Sequence, residues 1–351
     1  MKGFSQKYFM VVAGFLFGVL AALMSLLGNP PNMGVCIACF YRDITGALGL
    51  HRAAVVQYLR PEIMGIAIGA FISAFTFGEF RARGGSSPLV RFLLGMFFMI
   101  GALVFLGCPV RAVLRLAGGD LNALSGLAGV VVGALLGIAF LRRGFNLGRM
   151  TPTHQASGYL MPLIMFGLFI LLIVRPEFIF YSEEGPGAMH APIAVSLVVG
   201  LVIGFLAQRT RMCFVGGWRD LFLVRDTYLF SGIAAFFVGA LIVNLVTGKV
   251  HVGFAGQPIA QTNQLWNFLG MVLAGLSATL LGGCPLRQTI LASEGDIDAG
   301  VTIFGMIMGA AVSHNFLLAS SPKGPGVYGP LAVVICLILA CAFGYLMSEG
   351  S

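Results

Sequence analysis

Two cysteines, Cys108 and Cys284, occupy the same motif, Gly-Cys-Pro-x-Arg, once in each half of the chain. Because proline is favoured at the first helical position, the motif predicts a helix that begins there with the cysteine at its N-cap. The unpaired N–H groups and the positive end of the helix dipole at such a position favour an anion and the thiolate form of cysteine. Arg111 and Arg287, which close the two motifs, add positive charge beside the same helix ends.

A second pair of segments repeats at nearly the same spacing. Cys36 in the first half matches Cys213 in the second. In both segments an aromatic residue, an arginine and an aspartate follow the cysteine, namely Tyr41, Arg42 and Asp43 in the first and Trp218, Arg219 and Asp220 in the second. Asp120 also matches Asp296, at the same spacing that separates Cys108 from Cys284. Since polar residues are rare in this chain, the shared register predicts an internal duplication.

The four matched cysteines are the candidate substrate residues. A soft, polarizable sulfur beside a site that accepts negative charge suits an anion that itself carries sulfur or selenium. The alternative for each cysteine is simple packing, because a free cysteine behaves as a small hydrophobe. The matched arginines and aspartates are candidate supporting charges, since charges at membrane depth are functional candidates by default. Their alternative role is to form structural ion pairs that hold the loops.

Cys39 completes a Cys-x-x-Cys spacing with Cys36, which is typical of redox or metal chemistry. Its counterpart in the second repeat is Gly216, so Cys39 lies outside the duplicated set and is treated as an additional pathway residue. The aromatic pair, Tyr41 and Trp218, either lines the mouths of the pathway or anchors the loops at the membrane interface, and anchoring is the favoured expectation.

The remaining chemistry-bearing residues indicate neither a metal site nor a cofactor. The five histidines show no ligand spacing to one another or to the cysteines. Cys336 and Cys341 both lie in the last apolar segment but off a common helix face, and they are expected to pack. A nucleotide-binding motif of the Walker type is absent from the sequence.

The composition defines the setting of these motifs. Of 351 residues 58% are hydrophobic and 10% charged, and 49 are glycine. Soluble domains carry about 25% charged residues and about 7% glycine, so an all-α integral membrane protein is the class that fits. Glycine lets membrane helices pack closely and lets the backbone break within the membrane. The net charge of +8 is assigned to the orientation of cytoplasmic loops rather than to nucleic-acid binding.

Ten apolar segments are long enough to be considered as membrane spans, since a spanning helix needs about 20 apolar residues. They lie at about 8–27, 61–78, 90–107, 122–141, 159–175, 191–208, 228–247, 266–283, 298–318 and 326–347. Several end in Gly-Cys-Pro or glycine-rich stretches, which predicts short half-helices.

The basic residues orient this arrangement. Alternate connections carry the arginines and lysines, at Lys2 and Lys7, Arg81, Arg83 and Arg91, Arg142, Arg143 and Arg149, and Arg209 and Arg211. By the positive-inside rule both termini are cytoplasmic. The whole chain, 1–351, is then one membrane domain with repeat one at about 1–175 and repeat two at about 176–351. Five spans per repeat invert the second repeat and predict two funnels that meet end to end, as in an hourglass.

The motifs resemble those of the YeeE/YedE family of membrane proteins, which includes thiosulfate transporters. The resemblance covers nearly the whole chain, and the segments Gly34–His51 and Leu114–Leu124 are similar to the YedE branch, which is assigned to selenium transport. It implies an hourglass of helices in a bacterial inner membrane, with Cys36, Cys108, Cys213 and Cys284 at the waist passing the substrate along. It also implies a cytoplasmic sulfur-carrier protein as a partner.

Three classes of function follow from these observations. The first is a transporter or facilitator of a selenium- or sulfur-containing solute, such as a thiosulfate-like anion, without enzymatic activity. The second is a membrane enzyme that exchanges thiols or transfers sulfur through Cys36 and Cys39, but the sequence offers no base or cofactor motif for it. The third is a structural subunit, which the concentration of polar residues in duplicated loops disfavours.

Overall fold

A computed structural model of the chain describes residues 2–348, with side chains from residue 6 onward. Residue 1, residues 349–351 and the side chain of Lys2, which the orientation argument uses, lie outside the described part. The described residues form sixteen helices and one pair of two-residue strands.

Ten of the helices are long and six are short. In chain order the elements are α1 (Lys2–Leu26), α2 (Ile37–Ala47), α3 (Pro61–Thr76), β1 (Arg83–Gly84), α4 (Pro88–Phe105), α5 (Pro109–Ala117), α6 (Asn122–Arg142), β2 (Thr151–Pro152), α7 (Gln155–Gly158), α8 (Leu160–Val174), α9 (Gly185–Ala188), α10 (Ile193–Thr210), α11 (Gly216–Leu223), α12 (Tyr228–Val246), α13 (Gln264–Leu280), α14 (Pro285–Ser293), α15 (Ile297–Asn315) and α16 (Gly329–Leu346).

The class predicted from composition, an all-α integral membrane protein, is confirmed. Within residues 2–348, eight helical segments are long and apolar enough to cross a membrane. Helices α3 and α8 are apolar but shorter, with 16 and 15 residues. Each of the ten predicted spans coincides with one long helix, whereas the number of membrane crossings stays a prediction.

Four short helices, α2, α5, α11 and α14, follow directly on the segments that carry the matched cysteines. Two of them end close to loops of distant sequence: Phe180 N–H donates to the carbonyl of Ala47 at the end of α2, and His251 N–H donates to Gly118 beyond α5, both at 2.9 Å. The cysteine ends of α2 and α5 therefore point away from these loops and into the helix bundle.

The contacts between long helices come in matched pairs. Helix α1 packs on α12 and α10 packs on α3, while α6 packs on α13 and α15 packs on α4. In their order along the two halves, α1 corresponds to α10, α3 to α12, α4 to α13 and α6 to α15, and the shift that carries Cys108 to Cys284 places α4 on α13 and α6 on α15. The α1–α12 contact therefore corresponds to the α10–α3 contact, and the α6–α13 contact to the α15–α4 contact. The pairing is what an internal duplication would produce, and the repeat boundaries remain a proposal.

Glycine permits two of these matched contacts. A Cβ atom at Gly18 of α1 would lie 2.0 Å from the carbonyl oxygen of Phe236 in α12. In the counterpart contact, a Cβ atom at Gly204 of α10 would lie 2.0 Å from the carbonyl oxygen of Ile66 in α3. The backbones approach so closely that no side chain fits, which is the use of glycine expected in membrane helices.

Loops at the two ends of α3 define two faces of the bundle. Beyond its C-terminus, β1 pairs antiparallel with β2, and Arg81 N–H donates to the carbonyl of Glu294 at 2.9 Å. We call this the arginine face; it contains residues 77–87, 143–154 and 294–296. Beyond the N-terminus of α3, Gly187 N–H donates to the carbonyl of Val55 at 2.8 Å. We call this the opposite face; it contains residues 48–60 and 175–192.

The core and the outer surface are both apolar. The larger buried cluster contains the four matched cysteines and Cys39, whereas Cys336 lies in a smaller second cluster. Outward-facing positions of α8 and α16 carry exposed apolar side chains, among them Leu163, Ile173, Leu331 and Ile338. Such a surface is unusual for a soluble monomer and suits contact with lipid.

Candidate cysteine pathway

Three thiols and one guanidinium form the first cysteine cluster, which we define as Cys36, Cys39, Cys108 and Arg111. Cys36 is the N-cap of α2 and Cys108 is the N-cap of α5, as the proline after Cys108 predicts. The sulfur of Cys36 lies 2.8 Å from that of Cys39 and 3.8 Å from that of Cys108. All three are free thiols with no exposed surface. Two half-helices thus bring their N-termini and their cysteines to one point.

The Gly-Cys-Pro-x-Arg motif has a steric explanation for its first residue. A Cβ atom at Gly107 would lie 2.9 Å from Cδ of Arg111, and one at Gly283 would lie 2.8 Å from Cγ of Arg287. The stem of each arginine therefore lies against the glycine of its own motif. The guanidinium of Arg111 reaches the Cys39 sulfur, whereas that of Arg287 reaches Glu294, the C-cap residue of α14. Glycine is needed because any larger residue would occupy the space of the arginine stem.

A left-handed residue precedes each motif. Leu106 has φ of 65° and its counterpart Gly282 has φ of 81°. This conformation turns the chain sharply between the long helix and the half-helix, and it costs about 1 to 2 kcal/mol for a residue other than glycine. Leu106 adopts it nonetheless, and its carbonyl accepts a hydrogen bond from Arg111.

Arg111 is a buried cation whose hydrogen-bond partners are neutral. Its guanidinium donates to the carbonyls of Asn32 at 3.0 Å and Ile259 at 3.1 Å, and its Nη1 lies 3.6 Å from the sulfur of Cys39. Over residues 2–348, no carboxylate comes within ion-pair distance of it. Burying a charge without a counter-charge is costly, so the cluster has the electrostatic character of an anion site.

The second cysteine cluster contains Cys213 and Cys284. Cys284 is the N-cap of α14, again with proline at the first helical position, and Cys213 precedes α11. The sulfur of Cys213 accepts from the backbone N–H of Cys284 at 3.3 Å and from that of Gly216 at 3.1 Å. Both thiols are buried and free.

The two clusters share one backbone arrangement, and the first has a thiol that the second lacks. The sulfur of Cys36 accepts from Cys39 N–H at 3.4 Å, just as the sulfur of Cys213 accepts from Gly216 N–H. The shared element is this backbone N–H one helical turn after the cysteine, which both halves keep. The Cys39 thiol is an addition to the first cluster, where it is in contact with both Cys36 and Arg111.

The charged residues that follow Cys36 and Cys213 form ion pairs. Asp43 accepts from Arg42 at 2.6 Å and from Arg60 at 2.7 Å, and all three are buried. Arg219 donates to Asp220 at 2.8 Å in a pair whose side chains are about a quarter exposed. The first group holds the loops in place, because Arg60 also donates to the carbonyls of Pro186 and Met189.

The matched aspartates Asp120 and Asp296 lie at the far ends of the half-helices. Each half-helix of nine residues is about 13 Å long, which separates both aspartates from the cysteine ends. Asp120 accepts from Arg115 at 2.6 Å, and Asp296 caps α15 and accepts from Arg83 at 3.3 Å. Their contacts are those of residues that position the half-helices.

The expectation for Tyr41, an interface anchor, is wrong. Tyr41 is completely buried, and its hydroxyl lies 2.8 Å from that of Thr289, which joins α2 to α14 across the two halves. Its sequence counterpart Trp218 is half-buried against Phe230. The same matched position therefore connects the halves in the first repeat and lies nearer the surface in the second.

Sequence reasoning missed Arg60 and Arg115. Both are fully buried, and each is the cationic partner of an aspartate that the sequence had singled out. The search for duplicated residues could not find Arg115, because its counterpart in the second half is Leu291. The signal available was only the presence of arginine beside long apolar segments. Over residues 2–348, no three or more His, Cys, Asp or Glu side chains are arranged so that they could hold a metal ion.

The fold and the site together define a polytopic α-helical membrane protein with two buried cysteine clusters at half-helix N-termini. A family described as Sulphur transport matches residues 209–331. The chain belongs to the YeeE/YedE family, as the sequence motifs indicated.

Named relatives align with parts of the chain. It is 27% identical over 128 residues to thiosulfate transporter TsuA of Escherichia coli (strain K12), covering 36% of each chain. It is 35% identical over 103 residues to thiosulfate transporter TsuA of Spirochaeta thermophila, covering 29% of this chain and 31% of that one. It is 22% identical over 130 residues to probable transporter YedE of Escherichia coli (strain K12), covering 36% of this chain and 30% of that one. The aligned segments thus span about a third of the length of these relatives.

Proposed function

We propose that the protein carries a small sulfur-containing anion of the thiosulfate class across the membrane, along a pathway lined by Cys36, Cys108, Cys213 and Cys284. The observation that carries this proposal is Arg111, a buried cation beside three thiols with no carboxylate near it in the described chain. A permeating anion supplies the missing negative charge. The names of the two thiosulfate transporters favour sulfur as the transported element.

The half-helices supply the rest of the anion site. Unpaired N–H groups of α2 and α5 meet at the first cluster, and the positive ends of both helix dipoles add to the charge of Arg111. Thiols are weak hydrogen-bond donors and soft acceptors. They therefore suit the terminal sulfur of thiosulfate, which water solvates less strongly than an oxygen. An anion handed from thiol to thiol never has to lose all its partners at once.

The arrangement proposed for transport is an inverted repeat. Residues of about 1–175 and 176–351 approach the waist from the opposite face and from the arginine face, and the termini are cytoplasmic in a bacterial inner membrane. The matched helix contacts and the basic arginine face support this orientation. A cytoplasmic sulfur-carrier protein would accept the anion on that side.

The alternative function is thiol–disulfide exchange or sulfur transfer by Cys36 and Cys39, and the 2.8 Å between their sulfurs favours it. Against it stands the burial of both thiols within the larger apolar cluster, since a redox cysteine pair must be reached by its partner thiol.

Uptake into vesicles tests the proposal. Purified protein in liposomes is given labelled thiosulfate, sulfate and selenite, and we expect thiosulfate to enter faster than sulfate. Arg111→Gln should reduce thiosulfate entry, while Arg143→Gln on the exposed end of α6 should not. Equal entry through empty liposomes would refute transport. Preference for selenite would transfer the proposal to selenium.

A further inference from the structure

A charged cavity opens on the arginine face next to the second cysteine cluster. It has a volume of about 420 Å³ and is lined mainly by charged side chains, Arg81, Arg83, Arg211, Arg287, Glu79 and Glu294. We call it the arginine vestibule. Arg287 connects it to the cysteines, because its stem lies over Gly283 directly beside Cys284.

The vestibule has more cations than its own carboxylates can neutralise. Glu79 is held by Arg209, outside the lining, at 3.1 Å. Arg81 and Arg211 are exposed and, over residues 2–348, have no carboxylate within ion-pair distance. The remaining carboxylate of the lining, Glu294, is within ion-pair distance of Arg287 and Arg83, and it shares Arg83 with Asp296.

The Glu294 carboxylate lies between two arginines of the vestibule, Arg287 and Arg83. Its Oε1 atom lies 3.4 Å from Arg287 Nη1 and 3.4 Å from Gln208 Nε2. Its Oε2 atom lies 3.7 Å from Arg83 Nη2. Strong charge-assisted hydrogen bonds are about 2.7 to 2.9 Å long, so the carboxylate is held loosely by several donors at once. The first cluster differs, because Arg111 has no such internal carboxylate in the part of the chain that the structure describes.

We propose that the arginine vestibule is a second binding site for a small oxyanion, and that the Glu294 carboxylate occupies it until the incoming anion displaces it. This inference rests on the proposed function, for which it supplies the binding step on the arginine face. The displaced carboxylate weakens binding by competition. A permeation site must bind well enough to be entered and weakly enough to be left.

Equilibrium binding to the purified full chain in detergent tests the vestibule without relying on transport. Labelled thiosulfate is the probe, with sulfate and phosphate as competitors. Removal of the competing charge in Glu294→Gln, which keeps the side-chain shape, should tighten the weaker of two binding events about fivefold, the upper end of what one loosely held ion pair contributes. Arg81→Gln with Arg211→Gln should abolish that event, and Arg111→Gln should spare it. Arg143→Gln is the matched surface control.

The outcomes separate this site from the pathway. One binding event that Arg111→Gln abolishes and Glu294→Gln leaves unchanged would refute the vestibule and retain the proposed transport. A lower melting temperature of Glu294→Gln without tighter binding would show that Glu294 only stabilises the fold, and it would also refute the binding site in the vestibule. Equal competition by phosphate and sulfate would assign the vestibule to oxyanions in general, as proposed. If unlabelled thiosulfate displaces the probe and neither sulfate nor phosphate does, the assignment of the vestibule to oxyanions in general is overturned.

Discussion

Cys36 has sulfur neighbours on two sides, and they come from different parts of the sequence. Cys39 lies one helical turn further along α2, while Cys108 arrives from the start of α5. The contact with Cys108 has the longer separation, 3.8 Å, but it joins two half-helix N-termini. In the proposed pathway, either of these two thiols can contact the anion together with Cys36.

Replacing Cys39 with serine separates these roles. The second cluster has Gly216 at the matched position and keeps only the backbone N–H bond to Cys213. We therefore expect Cys39→Ser and Cys39→Gly to retain most thiosulfate uptake in liposomes, while Cys36→Ser loses it. Equal damage from Cys39→Ser and Cys36→Ser would favour the Cys-x-x-Cys enzyme.

Serine at the two Gly-Cys-Pro motifs tests the sulfur itself. Serine preserves size and capping ability, but it lacks the soft sulfur and the readily formed thiolate. Cys108→Ser and Cys284→Ser should each lower uptake about tenfold or more, the effect of losing about 1.4 kcal/mol of substrate interaction. Cys336→Ser, in the separate smaller cluster, is the control. Normal uptake by well-folded Cys108→Ser and Cys284→Ser proteins would exclude a cysteine relay.

At the scale of elements, the half-helix and its preceding turn act as one unit. The left-handed residue turns the chain, the glycine gives room, the cysteine caps and the arginine folds back over the glycine. This explains why the motif has the order Gly-Cys-Pro-x-Arg in both halves. In the first half this arrangement places a cation beside a thiol at the helix N-terminus.

A methyl group at Gly107 should displace Arg111 from the first cluster. The added Cβ would lie 2.9 Å from the arginine Cδ, and overpacking of this kind costs about 1 to 3 kcal/mol. We expect Gly107→Ala to reduce thiosulfate binding and uptake, as measured in detergent and in liposomes. Gly167→Ala is the matched control, because its Cβ meets nothing within 4 Å in α8. Unchanged binding by Gly107→Ala would show that Arg111 is not held by this contact.

At the scale of the whole molecule, the two loop faces define which helix ends share a side. The β1–β2 pair joins the loop after α3 to the loop after α6, and Arg60 joins the start of α3 to the loop before α10. These contacts place the segment around Arg149 on the arginine face and the segment 177–189 on the opposite face. The orientation of each in the membrane follows from the positive-inside rule.

Topology reporters test this separation in cells. A reporter inserted after Arg149 should be cytoplasmic, and one within 177–189 should be on the other side of the membrane. The physical reason is that α8, although only 15 residues long, connects the two faces. Reporters on the same side would contradict the ten-span arrangement, and with it the inverted repeat.

The membrane class, the half-helix starts and the candidate cysteines can be predicted from the amino-acid sequence alone. These properties depend on local signals: apolar segments of spanning length, proline at a first helical position and a motif repeated in register between the halves. The family resemblance depended on the same motifs. The Arg42–Asp43 pair could also be anticipated, because its members are adjacent in the chain.

Contacts between groups that are distant in the sequence become visible only in the folded chain. Arg60 joins Asp43, Tyr41 joins Thr289 across the halves, and Glu294 lies among the arginines of the vestibule. The fold also places Arg111 beside neutral carbonyls and thiols. A one-dimensional pattern cannot specify these contacts, because they depend on how close the glycine-rich helix backbones pack and therefore on which loop ends come within hydrogen-bond distance.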